Sequence, residues 1–283
     1  MKDAIDRGQR LPKNFHETFI PERQYIHALM RFAASGKSGN ILEIASETGI
    51  PTGKSSGKVQ PTIHYCIGMG MIQLTPQKQA AIKKPELTPF GRIVFLEDPF
   101  LKEHVTQWIA HFNLCNPLIG AEIWYQVFFK GFQSLGNSFS RTQLNDFLCL
   151  MNGVNHKKII GPLVRMYEDD AAFKICGALS SSGDEIHKNP APISNEFAKA
   201  YGAWLLQLLA DHFPNNPQVT VTDLENKAGW QTIPSWTISD IHLVLEIIEQ
   251  KGILEVDRHM TPWILYPTAN LEKIWMCIYD DLI

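Results

Sequence analysis

Residues 41–74, ILEIASETGIPTGKSSGKVQPTIHYCIGMGMIQL, decide how the N-terminal third of the chain is read. Ile41, Ile44, Ala45 and Thr48 recur at helical spacing, and Gly49 closes that short helix. A polar turn occupies 50–57. Val59, Ile63, Cys66, Ile67 and Gly70 then line one face of a further helix, with Pro61 in its first turn, where a missing N–H costs little. The opposite face is expected to carry Gly57, Lys58, Pro61, His64, Tyr65 and Gly68, flanked by Gln60 and Thr62. A strand-like run at 71–74 is answered, across a polar loop, by Glu86-Leu87-Thr88. Upstream, Ile26, Leu29, Met30 and Ala33 place a helix over 22–35. Three helices and a two-stranded hairpin describe a winged helix-turn-helix, whose third helix is the usual groove reader.

Charge suggests what such a module touches. No acidic residue lies between Glu47 and Glu86, whereas Lys54, Lys58, Lys78, Lys83 and Lys84 do, with His64. These lysines fall in the turn before the third helix and in the wing, where a duplex backbone would run. The expected nucleic-acid contacts are Lys54, Ser55, Ser56, Lys58, Gln60, Thr62, His64, Tyr65, Lys78, Lys83 and Lys84. Gln60, Thr62, His64 and Tyr65 are the ones placed toward base edges. The competing reading is a solvated basic loop on a protein-binding winged helix. Thr52-Gly53-Lys54-Ser55 is not a nucleotide-binding loop: Gly49 stands three residues before Gly53 where that motif needs four, and a helix precedes it in place of a strand.

The same order recurs near the C-terminus. Residues 221–229 align with 41–49 at an offset of 180, both ending in glycine, and Gly252-Ile253 aligns with Gly70-Met71 at 182. Ile241, Val244, Leu245 and Ile248 make an amphipathic helix, and 253–256 and 264–266 bracket a polar turn. From Asp211 onward eleven acids face four lysines and arginines, so this second module should repel a duplex and meet protein, either a partner subunit or a dimer mate. Trp230, Trp236 and Trp263 are its candidate partner-binding residues. The alternative is that they pack into the structure.

Between the modules, Trp108, Ile109 and Phe112, then Trp124, Val127 and Phe128, then Leu144 and Leu148, then Leu163 and Val164 form helical stripes of core type. Residues 180–192, SSSGDEIHKNPAP, read as a polar linker. The fold class expected is therefore mainly α, with two winged helix-turn-helix modules (1–96 and 193–283) flanking a helical middle domain (97–179).

With 45% apolar and 19% charged residues and a net charge of −3, the 283 residues describe a globular protein with no global attraction to DNA. Five scattered cysteines, never spaced as CxxC, suit reduced thiols and give no zinc framework. His104 and His111 are too few for a metal site. No signal peptide, membrane span or hydrolase motif is recognised, so the expectation is a cytoplasmic, non-enzymatic protein without cofactor or metal.

Phe15-His16-Glu17-Thr18-Phe19, Arg23, the Gly-Lys turn, Leu87-Thr88-Pro89-Phe90-Gly91, Asp98-Pro99 and Thr106-x-Trp108-x-x-His111 occur in an order that resembles the bacterial domain-of-unknown-function family 4007. Members of that family are often encoded beside DNA phosphorothioation genes in phage-defence loci. The resemblance implies a role in DNA modification or defence, with double-stranded DNA and the protein subunits of such a system as partners. Where the family has a Gly-Lys-Asn-Met-like turn, this chain has Gly53-Lys54-Ser55-Ser56-Gly57-Lys58. The His16-Glu17 pair is expected to brace the first helix, with a phosphate or partner contact as the alternative. The alternative for the whole chain is a scaffold that assembles such a system through both winged helices without touching DNA.

Overall fold

The computed structural model describes residues 10–53, 57–153 and 157–282, without the side chains of 157–159. Among them are thirteen α-helices and eight short strands, so the protein is mainly α. The chain divides into two compact units, Met1–Asn189 and Pro190–Ile283. None of the described helices is long and apolar enough to cross a membrane.

The first unit opens with α1 (Arg23–Ala34), α2 (Ile41–Thr48) and α3 (Val59–Gly68), followed by the antiparallel pair β1 (Ile72–Leu74) and β2 (Pro85–Leu87). α1 buries Ile26, Leu29, Met30, Phe32 and Ala33. α2 starts at Asn40, whose side chain accepts the Leu42 and Glu43 N–H groups while Glu43 reaches back to the Asn40 N–H. Gly49, at φ 72°, ends it. Ahead of α2, Gly39 bridges Lys83 and tethers the hairpin to the start of that helix. After β2, Thr88 caps α4 (Pro89–Glu97): its Oγ1 accepts the Gly91 N–H at 2.9 Å and donates to the Gly70 carbonyl at 2.6 Å.

No separation follows at 96/97. α5 (His104–Leu114) packs on α3, and every residue from Val105 to Leu114 is buried. The buried Asp98 carboxylate accepts the Lys102 and Glu103 N–H groups at 2.7 and 2.9 Å and sets the turn into α5. α6 (Glu122–Tyr125) runs on into a π-helical turn at Gln126–Lys130, and α7 (Phe132–Leu135) follows. β3 (Ser138–Ser140), α8 (Arg141–Asn152) and α9 (Lys157–Glu168) lead to β4 (Leu179–Ser182) and β5 (Glu185–Lys188). The strands form one antiparallel sheet in the order β3-β5-β4. Residues 180–188, expected as linker, are thus a hairpin. Its two-residue turn, Gly183-Asp184, carries Gly183 at φ 63°.

β5 ends on a buried ammonium. Lys188 Nζ donates to the Val127 carbonyl at 3.2 Å and lies 5.7 Å from the Phe139 ring centre. Burial pushes its pKa down to about 8, against a smaller upward pull from Cys115. Below pH 8 the folded protein carries a poorly compensated charge, and that penalty is relieved as pH rises from about 8 towards the ordinary lysine value of 10.5. Lys188→Met should therefore raise stability at pH 7 by about 3 kcal/mol, the worth of a shift of this size. Urea unfolding at pH 7 and 9.5 checks it. A variant no more stable than wild type at pH 7 would refute the account.

The second unit contains α10 (Ala198–His212), β6 (Val219–Thr220), α11 (Val221–Ala228), α12 (Ile238–Gln250), β7 (Leu254–Asp257), β8 (Ile264–Pro267) and α13 (Leu271–Trp275), with the sheet ordered β6-β8-β7. The order of the first module repeats in detail. α11, like α2, is capped at its start (by Thr220) and closed by a left-handed glycine, Gly229 at φ 67°. Val219, two residues before α11, pairs with Leu265, as Gly39, two residues before α2, pairs with Lys83. The repeat therefore includes a rung that the spacing of apolar residues had not disclosed.

Candidate nucleic-acid interface

The first unit carries 21 lysines and arginines against 17 acids, and the second unit 5 against 12. The basic surface thus belongs to the unit with the first module, and its expected ligands sort by what holds each side chain. Lys54, Ser55 and Ser56 lie outside the described residues. Lys78 is exposed in the loop between β1 and β2. Lys84 pairs with Glu86 at 3.1 Å; a hydrogen bond from Thr75, then one from Lys84, holds the Glu86 carboxyl below its usual range. Lys37 pairs with Glu47 at 2.6 Å. The two acids that bound the basic stretch are therefore both neutralised by lysines of the same module.

Other expected contacts are turned to structural work. Lys58 forms an ion pair with Glu22 and sits over the rings of Tyr25 (4.9 Å) and Phe19 (5.7 Å). Lys83 is buried, with Nζ donating to the Ala80 carbonyl at 3.1 Å. Thr62 is buried and donates its hydroxyl to the Lys58 carbonyl at 2.7 Å. Tyr65 is buried against Phe15 at 4.7 Å and Trp124 at 6.1 Å, and its hydroxyl donates to the Phe19 carbonyl at 3.1 Å. Neither Thr62 nor Tyr65 can reach a base edge without dismantling that packing. Gln60 and His64 keep part of their surface and bond each other at 2.7 Å across one helical turn.

A strap explains why the face of α3 expected to be outer is inside. Leu11 pairs with the 120–122 backbone through N–H to the Gly120 carbonyl and carbonyl from the Glu122 N–H. A Cβ on Gly68 would meet Leu11 and Leu114 at 2.7 and 2.9 Å, so the chain crosses α3 there in close contact. Phe15 and His16 continue the strap onto Trp124. Glu17 and Thr18 follow at φ 48° and 77°, the left-handed region, where non-glycine residues are uncommon. His16 is buried; its Nδ1 accepts the Thr18 N–H at 3.0 Å, and burial brings its pKa down to about 4. His16 thus braces the strap against Trp124, in place of the expected first helix, and Glu17 stays exposed.

Below the strap, Trp124 Nε1 donates to the Tyr167 hydroxyl at 3.0 Å, and that oxygen lies 2.7 Å from His111 Nδ1. Burial lowers the His111 pKa to about 3. Among the described residues no group of three or more His, Cys, Asp or Glu side chains is placed to hold a metal ion.

In the second unit the tryptophans divide. Trp230 and Trp236 are core residues, with ring centres 5.9 Å apart, and Trp236 also packs on Tyr201 at 5.1 Å and donates Nε1–H to the Ala191 carbonyl. They are not available to a partner. Trp263 is half-exposed between the His242 ring at 4.3 Å and the Arg258 guanidinium at 5.0 Å.

Comparison with known proteins bears on both units. No curated protein matches the sequence. The fold is similar to that of a magnesium-ion-bound SspB crystal structure, with a TM-score of 0.72 at 16% identity, covering 95% of this chain and 88% of that one. A second SspB crystal structure gives a TM-score of 0.69 at the same identity and coverage. A family model described as a protein of unknown function (DUF4007) matches residues 14–161, which hold the strap beyond Leu11, α1 to α8 and the start of α9. The chain belongs to the DUF4007 family.

Proposed function

We propose that this protein is a DNA-contacting subunit of a bacterial phosphorothioation-type DNA-modification or phage-defence system, with two winged helix-turn-helix modules. The first module meets duplex DNA through the phosphate backbone, at the wing tip and at the turn before α3. The second, acidic module meets protein subunits of the same system. The observation that carries the DNA contact is local charge: the basic stretch holds no acid between Glu47 and Glu86, both of these are already paired, and Lys78 projects from the wing. Family membership supports the setting only through what the resemblance implies, a place beside phosphorothioation genes; the family itself is described as of unknown function. The likeness to SspB over nearly the whole chain supports a common architecture. The reading is of a binding protein; no residue is assigned to catalysis.

Because Thr62 and Tyr65 are buried, base readout is not part of the proposal. A duplex titration at several salt concentrations tests it. Lys54→Ala/Lys78→Ala/Lys84→Ala should weaken binding and flatten the salt dependence by up to roughly 2–3 units of slope, about 0.9 per lost phosphate contact. Shuffling the duplex sequence should leave affinity unchanged. Binding by wild type without salt dependence, or an unchanged slope in the triple variant, would remove the first module from the interface. The second reading, a scaffold that touches no DNA, is favoured by the covered face of α3, and it predicts no duplex binding at all.

A further inference from the structure

The internal repeat permits a comparison within one chain. With Gly70 set on Gly252, Val59, Ile63 and Cys66 of α3 fall on Ile241, Leu245 and Ile248 of α12, and all six are buried. The outer faces differ. Pro61, Tyr65 and Gly68 are buried in the first unit, Tyr65 against Phe15 of the strap and Gly68 against Leu11 of the strap and Leu114 of α5. Their counterparts Leu243, Ile247 and Gln250 lie on a face that is open: Leu243 is 51% exposed and Ile247 half-buried. At the start of α12, five residues before Leu243 and well round the helix from it, Ile238 is 71% exposed beside His242, and Met260 in the β7–β8 loop is 71% exposed. Trp263 joins that loop to α12 through its contact with His242.

We infer that this face of α12, with the tip of the β7–β8 loop, docks a basic amphipathic helix of a partner protein. The inference rests on the reading that the second unit meets protein, and it names the surface and the chemistry of what sits there. The first unit shows what this position accepts, because a helix, α5, and apolar anchors from the strap cover it there. Charge selects the occupant. Glu246 is exposed one turn from Leu243, Arg258 is held by Glu249, and the unit has seven more acids than bases. A helix laying leucine-type anchors on Leu243 and Ile247 would bring its flanking lysines or arginines against Glu246 and the acidic surface of the unit.

Fluorescence anisotropy on the full chain tests this with a labelled amphipathic leucine–lysine peptide and its leucine–glutamate counterpart. The lysine peptide should bind saturably and the glutamate peptide should not. Leu243→Asp should weaken binding by roughly tenfold or more, whereas Leu42→Asp, at a still more exposed leucine of α2, should leave it unchanged. Matching thermal melts of the two variants establish that folding is intact. If Leu243→Asp melts early, hydrogen-exchange protection of 238–250 by the peptide in wild type replaces it. Equal binding of both peptides, or unchanged affinity in Leu243→Asp, would overturn the inference. So would a dimer in wild type that Leu243→Asp dissociates, because the occupant would then be a second copy. Partner capture that survives Leu243→Asp would keep the second unit as a protein-binding module and remove α12 from its surface.

Discussion

Replacing Gly91 by alanine should destabilise the Met1–Asn189 unit by at least about 3 kcal/mol, at or beyond the upper end of ordinary overpacking. A Cβ built on Gly91 would stand 1.8 Å from the Met71 carbonyl oxygen and 2.6 Å from its carbon. The obstacle is backbone, so no side-chain rotation relieves it. The same few atoms carry the cap of α4, in which Thr88 bonds Gly91 N–H and the Gly70 carbonyl while its own N–H reaches the Met71 carbonyl. Moving α4 away to admit a methyl group would break that cap and the start of the β1–β2 hairpin together. For a unit of this size the expected fall in melting temperature is roughly 6–12 °C, followed by differential scanning calorimetry. An unchanged melt would mean that α4 does not rest on the 70–71 backbone.

The Leu87-Thr88-Pro89-Phe90-Gly91 motif therefore records a close approach of helix to hairpin. The other family-like motifs have the same character. Asp98 caps the turn into α5, Trp108 and His111 are buried in α5, and the Phe15–Phe19 segment is the strap that covers α3. These residues were legible as a pattern because packing constraints fix residue type and order together. None marks where a ligand would sit, so the family was easier to read than the site.

Misplaced side chains have distinct physical causes. A helix buried on two faces defeats a one-face reading, and α3 is such a helix. The buried part of its outer face holds Pro61, Tyr65 and Gly68, whose low polarity was the available signal, although Lys58, Gln60 and His64 beside them have the character of a groove reader. Lys58 and Lys83 have lysine chemistry, but long side chains reach local acceptors at Glu22 and Ala80, which spacing alone does not reveal. Trp230 and Trp236 follow the usual burial of large aromatics. The hairpin at 179–188 was hidden by its serines, although Gly183-Asp184 is a recognised two-residue turn signal. By contrast, α2 and α11 were legible end to end, and α12 from Ile241 to its close before Gly252, because glycines end a clean apolar stripe.

Acid should unfold the first unit well before general carboxylate protonation completes, and His16 and His111 are the groups responsible. Burial brings their folded pKa values to about 4 and about 3, against 6.5 for an unconstrained histidine. His16 Nδ1 already accepts the Thr18 N–H, and His111 Nδ1 faces the Tyr167 hydroxyl inside the core, so neither ring can take a proton without losing its place. The unfolded chain binds these protons from pH 6.5 downward while the folded chain does not. Stability from both groups is thus complete above pH 6.5 and is lost progressively as pH falls towards 4 and 3. Each group contributes a slope of up to about 1.4 kcal/mol per pH unit, so two of them remove on the order of 5 kcal/mol by pH 4.5. That is a large part of the 5–15 kcal/mol typical of a domain. The second unit has one comparable group, His212, lowered to about 4 by burial and then by the nearby Lys227, so its acid loss should be about half as steep. Denaturant titrations between pH 7.5 and 4.5 measure the slopes, and ring-nitrogen NMR of the native protein gives the pKa values directly. Native His16 or His111 signals titrating near pH 6.5 would show that the strap and the Tyr167 network do not exclude the proton, and this account of the first unit's core would fail.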